Sequence, residues 1–270
     1  MDASISHKAR IDEHVIVGRY TIIEDDVVIG SGTRIGSHAV INNGTIIGND
    51  NLISNGVHIG VEPQDYHFKG EPSRCIIGDR NIIREYSTIS RATGDLCETV
   101  IGNDNFIMTY VHIAHNDTIG NDIVIASGVQ LGGYVSVADH ANIGGLTGVH
   151  QFCRIGKHAM LGAKSYLNSD LLPFLLARGN RARLCSVNVR GLARNGFSVQ
   201  DIEMIKGTYR PLFLTGISFS DWLQTLNNTS GDKTVYDEII QFARTTRRGI
   251  LLRTKDRFGD SSAMSSDNSE

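Results

Sequence analysis

Only four cysteines occur in the 270 residues (Cys75, Cys97, Cys153 and Cys185), and no two of them form a CxxC pair. That spacing excludes a disulfide framework and a cysteine zinc site, and it fits a reducing compartment. Long apolar runs are missing as well. The opening segment MDASISHKARID carries no signal-peptide core, and no stretch approaches the length of a membrane span. The expected location is the cytoplasm. A charge excess of one sign is also lacking. With 26 Lys and Arg against 29 Asp and Glu, the net charge of −3 gives no reason to expect nucleic acid as a partner. The balance hides an asymmetry, however. Residues 173–257 hold 14 Lys and Arg against 7 Asp and Glu, which suits an acidic partner or a phosphate-bearing ligand.

What the chain does have is a six-residue period. Stepping by six from Ile5 gives Ile11, Val17, Ile23, Ile29, Ile35 and so on to Leu161 and Leu167, and 25 of the 28 positions in this frame are aliphatic. The exceptions, Asp65, Glu71 and Asp95, fall in two stretches near 61–75 and 92–99 that read as loops ejected from the repeat. Glycine often follows the aliphatic residue, as at 18, 30, 36, 48, 78, 102, 120, 132, 144, 156 and 162. Two residues before it the side chain is usually small or β-branched, as in Thr21, Ala39 and Ala159. A helix would place apolar residues three and four apart, and a plain strand would alternate them. A short strand and a corner every six residues fits instead, three units closing one 18-residue triangular coil with the aliphatic side chains stacked inside. The glycines are expected to relieve tight corners, where a Cβ is costly. Residues 1–172 therefore form a parallel β-helix.

The frame ends after Leu167. Residues 173–195 form an Arg-rich connection, and helical spacing follows from Ser198, where Ser198 and Asp201 suggest an N-terminus and Pro211 a kink or end. Further helices are expected over about Ser220–Leu226, starting at Ser220 and Asp221, and about Thr234–Arg247. The expected organisation is a small α-helical domain over 173–255 and a Ser-rich disordered tail over 256–270.

His112, His115 and His150 lie in the repeat but outside its aliphatic slots, so they should face outward toward a groove. A lone histidine is about as often a satisfied polar group as a functional one. A base for a sugar hydroxyl nevertheless needs a neutral-range imidazole. At this point the motifs become specific. His112 with IAH, VHQFCRIG, GVEPQDYHFKGEPS and NVRGLARNGF, in that scaffold, resemble the UDP-N-acetylglucosamine acyltransferases over about residues 5–215, and more weakly at RRGI, 247–250.

The resemblance implies a left-handed β-helix, a homotrimer with sites between neighbours, and transfer of a 3-hydroxyacyl chain from acyl carrier protein to the 3-hydroxyl of UDP-N-acetylglucosamine, the first step of lipid A synthesis. It implies no cofactor beyond the phosphopantetheine of acyl carrier protein. His115 would be the general base and the Gly133 N–H the oxyanion donor. His112, His150 and Gln151 would contact the sugar nucleotide or acyl chain, and Gln64 and Asp65 the sugar from the neighbouring subunit. Asn188 and Arg194 would hold the uridine and phosphate end, and Ala163 would set acyl length. Arg178, Arg181, Arg183, Arg190 and Arg194 are either a solvated face or the docking surface for acidic acyl carrier protein.

Departures from the family pattern are Asn116 for Asp, Tyr134 for His, Arg181 and Arg190 for His and Glu, Ala163 for Gly, and Lys164 beside it. Asn116 should orient and stabilise the imidazole less than Asp, and Asp117 is the nearest substitute. These changes keep three alternatives open: a 3-amino acceptor, an acetyl-CoA-dependent sugar acetyltransferase, and a weakly active binding paralogue. A three-His zinc site of the γ-carbonic-anhydrase kind lacks a third histidine in register, so no metal is expected.

Overall fold

Each aliphatic position of the hexad lies in a strand of two to four residues, and each of these strands pairs in parallel with the equivalent strand one coil away. Three sheets of nine, eight and ten strands result, forming the three faces of a left-handed prism. The computed structural model describes residues 2–214, 217–228 and 233–252, so the expected tail at 256–270 lies outside the described residues. The aliphatic side chains stack in columns down the interior: Ile23, Ile41, Ile59, Ile89 and Ile113 on the first face are at most 2% exposed. Where both loops are absent, partners are eighteen residues apart. Ile59 pairs with Ile89 and Ile77 with Ile101, so each loop lengthens its coil and the stacking resumes unchanged.

The glycines after the aliphatic residues serve a different purpose from the one the sequence suggests. Apart from Gly60 (φ 75°), none has a positive φ. A Cβ at Gly18 would lie 2.5 Å from the Gly36 carbonyl carbon, and one at Gly102 2.5 Å from the Gly120 oxygen, so these glycines let successive coils touch. The corner itself turns two residues later, and there the left-handed conformation is mostly taken by other residues, among them Tyr20 (φ 61°), His38 (58°), Asp104 (58°) and Tyr134 (61°). That conformation costs an L-residue about 1–2 kcal/mol. Stacking of corner side chains from coil to coil offsets part of it: Tyr86 on Tyr110 at 5.4 Å, Tyr134 on Phe152 at 4.9 Å, His140 on His158 at 4.6 Å.

His158 illustrates a consequence. It is 6% exposed, its Nδ1 has no hydrogen-bond partner among the described residues, and Phe174 and Phe197 enclose it. Burial, with the nearby His140 and Lys157, pushes its pKa down to about 4 against the pull of Asp139. A depressed histidine is neutral in the fold but protonates in the unfolded chain below its ordinary value of about 6.5, so stability is full above that pH and drains as pH falls toward 4. The expected loss is about 3 kcal/mol over that window. In urea unfolding at fixed protein concentration, His158→Phe should flatten the pH dependence of stability across the same range.

Past Leu167 the coil does not stop but shortens. Ile155 pairs with Leu171 and Leu161 with Ala177, sixteen residues apart instead of eighteen, which is why the hexad frame disappears. The expected connection at 173–195 is therefore structured. Strand Leu175–Arg178 joins the third face, and Arg183–Val187 turns back antiparallel beside it. A short helix α1 follows (Val189–Arg194). Helix α2 (Val199–Leu214) starts with a reciprocal Ser198–Asp201 cap and contains Pro211. Helix α3 (Phe219–Asn228) is capped by Ser218, not Ser220, because the Ser218 hydroxyl accepts the Asp221 N–H at 3.1 Å. Helix α4 spans Lys233–Arg244. The helices dock through Tyr209, whose hydroxyl donates to the Pro173 carbonyl (2.8 Å), and Trp222, which stacks on it.

Candidate functional site

His115 stands two residues past Ile113, at the edge between the first and second faces. Its ring lies outside the prism but is only 9% exposed, because the first ejected loop brings Asp65 over it and Tyr134 packs edge-on at 5.3 Å. Nδ1 is 2.9 Å from the Asn116 side-chain oxygen. That amide has a single sensible orientation: its oxygen accepts the Thr93 N–H at 2.9 Å and its nitrogen donates to the Thr93 carbonyl at 3.0 Å. The oxygen therefore faces the ring, Nδ1 carries the proton, and in the neutral imidazole Nε2 is left with a free lone pair. Asp117 does not substitute for Asn116. It points into the prism, fully buried, and accepts the Ala114 and Val135 N–H groups at 3.0 and 2.8 Å. Burial lifts its carboxyl well above the usual range, against those two donors.

Asp65 presents Oδ2 3.9 Å from His115 Nε2, while Oδ1 is held by the His67 backbone N–H at 3.0 Å and lies 2.9 Å from the His67 ring nitrogen. The His67 N–H, helped by the His67 ring, Thr93 and His115, lowers the Asp65 pKa to about 2 against the opposing effect of burial. The loop belongs to the same chain as His115, so within one subunit Asp65 lies over the ring and Gln64 lines the pocket beside it. His112, on the first face, lies 2.8 Å from the Thr88 hydroxyl through Nδ1. Burial, then His115, depresses its basicity.

Gly133 lies one coil beyond His115. A Cβ there would stand 2.5 Å from His115 Cε1 and Nε2, so only glycine leaves room for the ring. At some corners the N–H at this position donates to a side chain one coil on, as from Ser31 to Asn49, Asn103 to Asn121 and Asn121 to Asp139. At Gly133 the matching residue is Gln151, and among the described residues no acceptor takes the Gly133 N–H. The pocket formed here has a volume of about 350 Å³ and is lined by Gln64, His112, His115, Gly133, His150 and Gln151, with Ala114, Leu131, Gly132 and Val149.

The remaining expected residues lie elsewhere in the subunit. Asn188 caps α1: its oxygen accepts the Gly191 N–H and its nitrogen donates to the His158 carbonyl, so its side chain is committed to structure. It also borders a larger groove of about 810 Å³ with Arg190, Lys206 and Phe213, which shares no residue with the His115 pocket. Arg194 is exposed in the last turn of α1. Ala163 is exposed at the edge between the third and first faces, stacked against Gly144. Thr93 and His67, which position Asn116 and Asp65, escaped the sequence reading. Both sit where the hexad period fails, and nothing in that period says where an ejected loop folds back.

A tautomer-locked imidazole and an unengaged N–H facing one pocket can remove a proton from a hydroxyl and hold an oxyanion. Among the described residues no group of three or more His, Cys, Asp or Glu is placed to hold a metal ion. No described helix is long and apolar enough to cross a membrane.

Comparison with known proteins gives the following. Residues 8–43 and 98–133 match the family model described as bacterial transferase hexapeptide (six repeats), and residues 170–251 match UDP-N-acetylglucosamine O-acyltransferase, domain 2. The chain is 42% identical over 199 residues to the acyl-[acyl-carrier-protein]–UDP-N-acetylglucosamine O-acyltransferase of Burkholderia lata, covering 72% of this chain and 76% of that protein. The crystal structure of the Francisella novicida UDP-N-acetylglucosamine acyltransferase matches with a TM-score of 0.91 at 36% identity, covering 94% of this chain and 93% of the other. That from Bacteroides fragilis gives 0.89 at 36%, covering 92% and 98%.

Proposed function

This chain belongs to the UDP-N-acetylglucosamine O-acyltransferase family, and from that premise we propose how its pocket performs the reaction. The chain transfers an acyl group from acyl carrier protein to UDP-N-acetylglucosamine in lipid A biosynthesis. In our reading the acyl group is a 3-hydroxyacyl chain and the acceptor is the sugar 3-hydroxyl. His115 Nε2 takes the hydroxyl proton, the oxygen attacks the thioester carbonyl, and the Gly133 N–H receives the oxyanion. The thiolate leaves and takes the proton from the imidazolium. A thioester is already activated, so no acyl-enzyme is required. The observation that carries this reading is the convergence of a free imidazole nitrogen and a free backbone N–H on one pocket.

Gln64, Asp65, His112, His150 and Gln151 line that pocket or its roof and are suited to bind the sugar. Asn188 and Arg194, remote in one subunit, could serve a neighbour's site in a homotrimer, with Asn188 acting by placing α1. The third face supports such an assembly. Its outward positions Leu52, Ile82, Phe106 and Val124 form an apolar stripe bounded by Arg34 and Asn142, with Leu52 and Ile82 44% and 38% exposed. The exposed arginines 178, 181, 183, 190 and 194 suit an acidic carrier protein in the cytoplasm. Mass spectrometry of the product made from a mixed acyl carrier protein pool tests the function. Acylated UDP-N-acetylglucosamine is expected, and acetyl transfer from acetyl-CoA or no product would refute it.

Ala163, in place of glycine, is proposed to shorten the acyl groove by a methyl. Ala163→Gly should shift relative kcat/KM toward longer chains by about tenfold or more, measured across a series of acyl lengths.

A further inference from the structure

We propose that the negative charge stabilising the His115 imidazolium is supplied by Asp65, on the substrate side of the ring, while Asn116 orients the ring without charging it. This rests on the reading of His115 as the general base.

The two neighbours of the ring do different things. Asn116 meets Nδ1 at 2.9 Å, and its amide is fixed at both ends by Thr93 of the second ejected loop. It sets the tautomer, but an amide carries no charge to balance the imidazolium. Asp65 stands 3.9 Å from Nε2, the nitrogen that gains the proton. That gap is too long for a direct hydrogen bond and short enough for strong Coulomb attraction. Its carboxylate is only 15% exposed, and Oδ1 is tethered by His67, which leaves Oδ2 turned toward the ring. Asp65 is also a weak base, lowered to about 2 by the His67 N–H with its ring, Thr93 and His115 assisting. It therefore remains an anion through the reaction, and the proton stays on Nε2.

The other groups facing the ring do not provide this charge. His112 carries no negative charge and is made less basic by burial. Tyr134 meets the ring edge-on and is held neutral by burial, with Asp65 and Cys97 adding to that effect. Asp117 is turned into the prism.

The step balances simply. The sugar O–H bond breaks as Nε2–H forms, the new C–O bond forms at the thioester carbon, the C–S bond breaks, and the departing thiolate takes the proton from Nε2. The anion of Asp65 lowers the energy of the one charged protein group formed on this path.

Two readouts test the proposal on the full-length enzyme: the titration midpoint of the His115 ring followed by NMR of labelled histidine, and kcat against KM for UDP-N-acetylglucosamine across pH. Asp65→Asn should move the midpoint to lower pH by about one unit, as loss of an opposite charge at this distance requires, and reduce kcat about 10–100-fold. Asn116→Asp should move the midpoint up by about one unit. The double variant should return it to near the starting value and recover much of the kcat loss, with any rise in KM persisting. Asp65→Glu, which keeps the charge, guards against a folding defect. If Asp65→Asn raises KM while leaving the midpoint and the acid limb of kcat in place, Asp65 only binds sugar and the proposal is overturned. Since the ring titration needs no substrate, absence of acyl transfer by the unsubstituted enzyme would refute the function without touching this result.

Discussion

His115→Ala is expected to lose on the order of 10²–10⁴ in kcat while the fold stays intact, the usual effect of deleting a positioned general base. The ring makes no contribution to the prism interior. It sits beyond the Ile113 column, and the backbone bond at this residue, the Tyr134 N–H to the His115 carbonyl at 3.0 Å, survives truncation. The Gly133 N–H also survives, so some acceleration through the oxyanion site should remain. His115→Gln is the sharper variant. It can keep a contact with Asn116 and most of the volume, yet supplies no base, so it should be nearly as inactive. The measurement is steady-state transfer beside thermal unfolding, with kcat collapsing and the unfolding midpoint almost unmoved. A His115→Ala enzyme that keeps most of its activity would dismiss the mechanism.

The largest effect on stability is expected at Asp170. This carboxylate is fully buried where the last coil meets the helical segment. Oδ1 accepts the Arg154 N–H at 2.8 Å, and Oδ2 accepts from the Arg154 guanidinium at 2.8–2.9 Å and from the Thr246 hydroxyl at 2.8 Å. Arg154 continues outward to the Phe242 carbonyl and the Thr245 hydroxyl, and its guanidinium lies over the Phe242 ring. Asp170→Ala strands these donors and leaves Arg154 uncompensated with a side chain only 21% exposed, a change that costs about 3–5 kcal/mol. Asp170→Asn keeps part of the bonding and should cost less. Urea unfolding should show the order directly. Hydrogen exchange should show it locally, because the Leu251 N–H donates to the Asp170 carbonyl and marks how firmly the segment after α4 is held. An Asp170→Ala protein as stable as the parent would mean that the network is ornamental.

The prism was legible because its spacing is the stacking: an Ile every six residues places identical side chains above one another, and no tertiary knowledge is needed to see it. The same logic fails where geometry changes without a composition signal. The final coil drops two residues, so Leu171 and Ala177 fall out of frame although both are fully buried. Corner conformations were assigned to glycine on steric grounds, yet Tyr20, His38 and Tyr134 occupy them, since contacts between coils outweigh the local preference. At the candidate site, outward slots for His112, His115 and His150 followed from the frame alone. That Gln64 and Asp65 would meet His115 in the same subunit, that Thr93 would lock Asn116, and that Asn188 would be spent on capping a helix depended on how loops fold back, which no period encodes.

The two ends of the prism are finished differently. At the far end the returning strand and the helices close the column, whereas at the start Ile5 is 47% exposed and its strand pairs on one side only. In a stack where each layer leans chiefly on its neighbours, loosening begins at the open layer and advances one layer at a time. The pocket lies well down the column, on the closed half, so the first layers can breathe while the spacing between imidazole, carboxylate and backbone donor holds still.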